Sequence, residues 1–226
     1  MLPVLVLRPE PGNTRTCNAA RARGLSPHAA PLFAYVALDW HLPAGIAWNG
    51  LLIGSAAAIT QGGMTLAALR PIPVHAVGAA TARAAQAAGF TVSTTGGGGL
   101  QPLVDTLPPG RYLRLAGEAH VPLAPPSGVQ IDDVIAYGAQ PQPLDPLAIA
   151  QIRAGPVLAL LHSAEAARHF ARQCAVHVLP RDTIALACLA PRIARAAGDG
   201  WHTIGIAQTP DDDAVLSLAS QMWQRL

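Results

Sequence analysis

Short, β-rich apolar runs alternate with Ala-rich stretches of helical length along the whole chain, and this alternation limits the fold more than any other feature. Strands are expected at Pro3–Leu7, Gly50–Ile53, Val74–Val77, Thr91–Ser93, Tyr112–Leu115, Val157–Leu161, Ala175–Leu179, Thr183–Ala187 and Thr203–Ala207. Further extended segments are expected at Ala30–Val36 and Val129–Tyr137. Between them, helices are expected at Asn13–Arg23, Ala79–Ala88, Leu100–Thr106, Leu147–Ala154 and Pro191–Ala197, and running on from Ser55, Ser163 and Asp211. Ser55 and Ser163 sit where an N-cap belongs, and Gly24 and Gly89 where a helix stops. Strands that alternate with helices of this size build parallel sheets covered by helices on both faces.

The pattern occurs twice. Gly50–Ala58 (GLLIGSAAA) and Val157–Ala167 (VLALLHSAEAA) share an apolar strand, a serine cap and an Ala-rich helix. Ala76–Phe90 and Ala187–Trp201 share a small-residue turn, an A-R-A-A helix, a glycine and an aromatic residue. Two similar α/β units follow. Pro-flanked extended segments at Pro31–Leu38 and Ile131–Pro143 lie a hundred residues apart, which suits a chain that crosses from one unit to the other and returns.

Composition narrows the chemistry. Hydrophobic residues make up 51% of the 226, enough for a sizeable core, which sets a disordered or supercharged protein aside. All fifteen cations are Arg, so no side chain here can form a Schiff base or serve as a P-loop lysine. A formal charge of +2 is too small to point to nucleic acid. Cys17, Cys174 and Cys188 are odd in number and have no CxxC spacing, so neither a disulfide framework nor a zinc knuckle is expected. The apolar Met1–Leu7 is one strand long and is not expected to act as a secretory signal, and the reading is a cytoplasmic protein. The uncharged window between Asp39 and Arg70 is long enough to span a bilayer, but Pro43, Gly45, Gly50, Gly62 and Gly63 interrupt it, so no membrane association is expected.

Individual motifs are weaker. The eight histidines offer no HxxH or HxxxH pair to hold a metal, and His162, His169 and His177 read as scattered surface or core residues. Pro210 followed by Asp211–Asp213 reads as a helix start favoured by the macrodipole. Gly96–Gly99 lacks the context of a dinucleotide fingerprint and reads as a flexible loop.

Several segments, taken in order, resemble the uroporphyrinogen-III synthase family. LVLRPEPGNTRT is similar to its opening strand and R-P loop, and PLF at Pro31–Phe33 followed by LIGSAAAI to its P-L and S-A-x-A segments. HAVGAATARAAQAAGF resembles its V-G-x-x-T-A signature, DDVIAYGAQP the segment bearing its tyrosine, and IGIAQTPDDDAVLSLA its P-D-x-x-A-L tail. The resemblance implies two flavodoxin-like, doubly wound α/β domains joined by a two-stranded β-ladder, the first domain discontinuous. Here that gives residues 1–35 with 143–226 as one domain, 38–133 as the other, and linker strands within 32–40 and 131–142.

It also implies a reaction: hydroxymethylbilane, a linear tetrapyrrole, is closed to uroporphyrinogen III with inversion of ring D and loss of water, by a monomer using no cofactor or metal. Such a substrate carries eight carboxylates, which call for backbone N–H groups at helix starts and cationic forks. In doubly wound sheets these lie in loops at the carboxyl ends of the strands, which begin here at Arg8, Ser55, Gly78, Gly117, Ser163 and Pro191. By the family match Tyr137 is the candidate acid that helps water depart, and Thr81 a candidate carboxylate ligand; the bland alternatives are a tyrosine covering the ladder and a turn or cap threonine. The chain departs from the family at Arg192–Ile193, where a hydroxyl pair is usual, so either Arg192 takes over carboxylate binding there or that contact is made by the backbone only. It departs again at Leu115–His120, where Glu118 would repel an anion. These departures keep open a non-catalytic two-lobed protein that binds a tetrapyrrole or another small anion. A glycosyltransferase is a more distant alternative, with no residues for a nucleotide diphosphate.

Overall fold

A computed structural model describes residues 2–224; Met1, Arg225 and Leu226 lie outside the described residues. In chain order the elements are β1 (Pro3–Val6), α1 (Gly12–Ala22), β2 (Ser26–Ala29), β3 (Phe33–Ala37), β4 (Gly50–Ile53), α2 (Ala56–Thr60), a 3₁₀ turn (Met64–Leu69), β5 (Val74–Val77), α3 (Ala79–Ala87), β6 (Val92–Gly96), α4 (Leu100–Val104), β7 (Gly110–Gly117) and β8 (Val129–Pro141). After these come α5 (Pro146–Ala154), β9 (Val157–Leu161), α6 (Ala164–Val176), a 3₁₀ turn (Arg181–Thr183), β10 (Ile184–Cys188), α7 (Pro191–Ala197), β11 (Thr203–Ile206) and α8 (Asp212–Trp223).

The chain divides into two compact units: one runs up to Ala34 and resumes at Pro141, and the other spans Tyr35–Gln140. The first holds a five-stranded sheet in the order β11-β10-β9-β1-β2, with all recorded pairings parallel. Renumbered within the unit this is 2-1-3-4-5, and the order reverses between β1 and β9. Val4, Val6, Leu158, Leu160, Ala185 and Ala187 turn one face toward Cys17 and Ala20 of α1 and Val215, Leu216 and Ala219 of α8. Strand alternation sends the intervening residues to the other face, where α6 packs on β9 and α7 on β10. Both faces are therefore covered, which is why PVLV, VLALL and IALAC are apolar almost without interruption.

The second unit holds a six-stranded sheet, β3-β8-β7-β4-β5-β6, with β8 to β6 parallel. Leaving β3 aside, the order within the unit is 3-2-1-4-5, another doubly wound arrangement, with its reversal between β4 and β7. One face packs Leu51, Ile53, Leu113 and Leu115 against α2 and α3, and the other sets Leu52 and Tyr112 against Leu103 and Val104 of α4. Leu38 N–H donates to the Ala136 carbonyl and Gln142 N–H to the Leu32 carbonyl, so the segments carrying β3 and β8 run antiparallel.

Two local expectations are corrected. Ala175–Leu179 is no strand: α6 runs through Val176, and the chain then turns with Val178 at φ +49°. Ser26–Ala29, outside every expected strand, is β2; as an edge strand it tolerates Pro27. No described helix is long and apolar enough to cross a membrane, and the uncharged 39–70 window is broken into irregular chain, β4, α2 and a 3₁₀ turn.

Candidate active site

The expected site residues of the second unit collect at the carboxyl edge of its sheet. Gly54 and Ser55 follow β4, Gly78 follows β5 and Gly117 ends β7. Ser55 is the N-cap of α2, its Oγ accepting from Ala57 N–H at 3.2 Å. Gly78, at φ +78°, takes the backbone conformation that only glycine adopts without strain and opens α3. Its own N–H is spent on the Gly96 carbonyl at 2.8 Å, so α3 offers a ligand only the amides that follow. Thr81 lies in that first turn and is buried, 5% exposed.

Tyr137 stands opposite Gly117 in the β7–β8 register, where the pairing carries a bulge. A Cβ at Gly117 would come within 2.8 Å of the Tyr137 ring, so the absent side chain is what lets the ring lie over the strand end. Tyr35 meets that ring edge-on at 5.5 Å, and Glu118 N–H donates to the Tyr137 carbonyl at 3.1 Å. The Glu118 carboxylate folds over the backbone of Gly138. Below it, Arg114 is buried in β7, donating to the Val121 carbonyl at 3.0 Å and standing 3.7 Å from Asp133. His120 Nδ1 bonds the Gly117 carbonyl at 2.9 Å, so side chains of the loop itself hold its course.

In the first unit, Arg8 lies in the loop after β1, Ser163 follows β9, and Pro191 and Arg192 follow β10. Ser163 Oγ caps α6 by accepting from Ala166 N–H at 3.1 Å. Pro191 is the first residue of α7, and it and Arg192 are exposed.

Arg8 belongs to a cluster that sequence reasoning did not assemble. Asn13, fully buried, donates to the carbonyls of Val6 and Arg8 at 2.7 and 2.9 Å and so fixes the loop after β1. The Arg8 guanidinium folds over Gly12, where a Cβ would run into it. Its Nη1 donates to Asp212 Oδ1 at 2.6 Å and to Thr16 Oγ1 at 3.3 Å. Arg15 and Thr16 approach the other Asp212 oxygen at 3.3 and 3.5 Å, and His162 Nε2 stands 3.3 Å from Oδ1. Burial alone would raise the Asp212 pKa, but His162, Arg8 and Arg15 outweigh it and hold the carboxyl well below its ordinary value. Burial pushes His162 below the ordinary histidine value; Asp212 opposes that, and Arg8 and Arg15 reinforce it. The sequence carried one trace of the cluster, the run Asp211–Asp213, which also starts a helix; Asp211 is in fact the N-cap of α8.

Two doubly wound parallel units in one chain, with a serine-capped helix start at the carboxyl edge of each sheet, define a two-unit α/β protein. A family model described as uroporphyrinogen-III synthase HemD matches residues 15–217. The chain belongs to the uroporphyrinogen-III synthase family, enzymes of tetrapyrrole biosynthesis. Among solved structures, a uroporphyrinogen-III synthetase from Helicobacter pylori is similar in fold, with TM-score 0.61 at 15% identity over 98% of this chain and 100% of that one. A uroporphyrinogen III synthase from the extremely thermophilic bacterium Thermus thermophilus aligns over 100% of this chain and 99% of its own at 17% identity, with TM-score 0.43. No curated protein sequence matches.

Proposed function

We propose that this chain closes hydroxymethylbilane to uroporphyrinogen III, inverting ring D and releasing water. The family match over residues 15–217 carries the reading. In it, carboxylates of the substrate are received by the amides that open α3 and α6, with Ser55, Thr81 and Ser163 at the same strand ends and Arg8 and Arg192 as cationic partners. Tyr137 gives its phenolic proton to the departing hydroxyl, which leaves as water. The azafulvenium cation so formed is attacked by ring D at the carbon that already carries its bridge to ring C. That bridge bond breaks and re-forms at the ring's other α-carbon, which inverts the ring, and the α-proton displaced there returns to the Tyr137 phenolate. Support for Tyr137 is its seat over Gly117 at the carboxyl end of β7, a strand that borders the sheet reversal of its unit.

The proposal includes a monomer in a reducing cytoplasm. Each unit buries an apolar core of its own, and Cys17, Cys174 and Cys188 are all free and buried. Incubation with freshly prepared hydroxymethylbilane, followed by isomer separation, tests the activity. The type III isomer is expected; type I alone, the product of unassisted closure, would remove the proposal.

A further inference from the structure

In the first unit the sheet order reverses between β1 and β9, and the loops after those two strands flank the crevice where doubly wound folds place ligands. Arg8 comes from one loop and His162 from the other, and both are directed at the same oxygen, Asp212 Oδ1. The two contacts are unequal. Arg8 holds the oxygen at 2.6 Å, whereas His162 Nε2, at 3.3 Å, is too far off line to make a hydrogen bond. The imidazole is nonetheless buried, with its side chain 7% exposed, and neither of its nitrogens has a hydrogen-bond partner among the described residues. A buried polar ring with no partner is costly and calls for an explanation that stability does not supply.

We propose that His162 is the exchange partner of Asp212: when a substrate carboxylate draws the Arg8 guanidinium away, His162 takes a proton from solvent and replaces Arg8 at Oδ1. His162 is thus a positioning residue for Arg8, and ligand binding at the end of β1 is coupled to uptake of one proton. The inference rests on the proposed function in taking Arg8 as a carboxylate ligand, and it adds two residues and a proton to that reading.

Electrostatics supports the direction of the exchange. With the ligand absent, Arg8 from the β1 loop and Arg15 from α1 both disfavour a charged imidazole, and Asp212 alone favours it. Removing Arg8 from Asp212 to a new anion deletes one repulsive charge and leaves Oδ1 in need of a donor. Four other acids lie on or beside these elements. Glu10 accepts from Thr14, Asp211 caps α8, Asp213 pairs with Arg23, and Glu165 lies in the first turn of α6.

The test is the pH profile of KM for hydroxymethylbilane, read as type III product between about pH 5.5 and 8, above the carboxylate range and across that of histidine. One coupled proton makes wild-type KM rise with pH, by up to about tenfold per unit between the His162 pKa values of the free and liganded states. His162→Gln is expected to abolish that rise. Equal slopes in the two proteins, or a flat wild-type profile, would overturn the proposal. Should His162→Gln fail to fold, Asp212→Asn serves instead, since an amide at Oδ1 creates no demand for a proton and its profile should also be flat. A wild-type protein that yields only type I product would remove the proposed function, not the exchange. Calorimetry with uroporphyrin III as probe, in two buffers of different ionisation enthalpy, then decides the exchange separately. Proton uptake in wild type that His162→Gln lacks supports it, and the same proton count in both refutes it.

Discussion

Gly117 and Tyr137 show how one missing side chain places another. The tyrosine ring occupies the volume that a Cβ at 117 would need, with the nearest ring atoms 2.8 Å from that position. A methyl group there has to push the ring off the strand end or spread β7 from β8 at their bulge. If Tyr137 donates the proton that lets water leave, Tyr137→Phe should lower kcat by roughly a hundredfold or more, the usual scale for a positioned general acid, while the melting temperature stays near wild type. Gly117→Ala should lower kcat toward the same level with the phenol still present. Steady-state assay of type III product alongside thermal melts separates the cases. Wild-type turnover by a folded Tyr137→Phe would take Tyr137 out of the mechanism, and wild-type turnover by Gly117→Ala would show that the ring position does not matter.

At the scale of elements, α6 ends in a way its sequence conceals. Leu179 N–H bonds the Cys174 carbonyl at 2.8 Å and Val178 N–H bonds that of Ala175 at 3.2 Å, the paired pattern in which glycine normally follows the C-cap. Here that position holds Val178, a β-branched residue at φ +49° that is 87% exposed. Its side chain gains almost nothing from burial, while a left-handed conformation costs a non-glycine residue roughly 1–2 kcal/mol. Val178→Gly should therefore raise unfolding stability by about 1 kcal/mol once the extra entropy of the unfolded glycine is subtracted. Urea denaturation measures it; a loss of stability would contradict the strain. The same valine explains why AVHVL reads as a strand: without a glycine stop, its alternating β-branched residues carry the wrong period. Elements with a clear signal were legible, among them the buried runs VLALL and IALAC and the serine caps at Ser55 and Ser163. β2 was not, because SPHA is a short edge strand with little apolar surface to announce it. Ser55, Gly78 and Gly117 were legible as strand-end positions because the alternation locates those ends. The link from Arg8 to Asp212 was not, since 204 residues separate them and no local period connects an arginine loop to a distant helix start.

For the molecule as a whole, the Asp212 cluster sets how stability responds to acid. Two of its members titrate, and both have depressed pKa values in the folded chain. Below the ordinary histidine value of about 6.5 the unfolded state binds a proton at His162 that the folded state refuses, so stability falls as pH drops through that value toward the folded pKa. Asp212 acts later: its contribution is complete above about pH 4, the ordinary carboxylate value, and is lost as pH falls further toward its depressed folded pKa. Each step has a slope of at most about 1.4 kcal/mol per pH unit for one proton. Seven other histidines and twelve other acids titrate in the same chain, so the wild-type curve alone assigns nothing. The difference between wild type and His162→Gln does, because groups remote from the cluster contribute equally to both. That difference in unfolding free energy, measured without ligand, should be flat above about pH 7 and should shift in favour of the variant as pH falls from about 6.5 toward 5, since glutamine has no proton to take up. A difference that stays constant across that range would mean that His162 titrates in the folded chain as it does in the unfolded one, and that its burial against Asp212 has no hold on its charge.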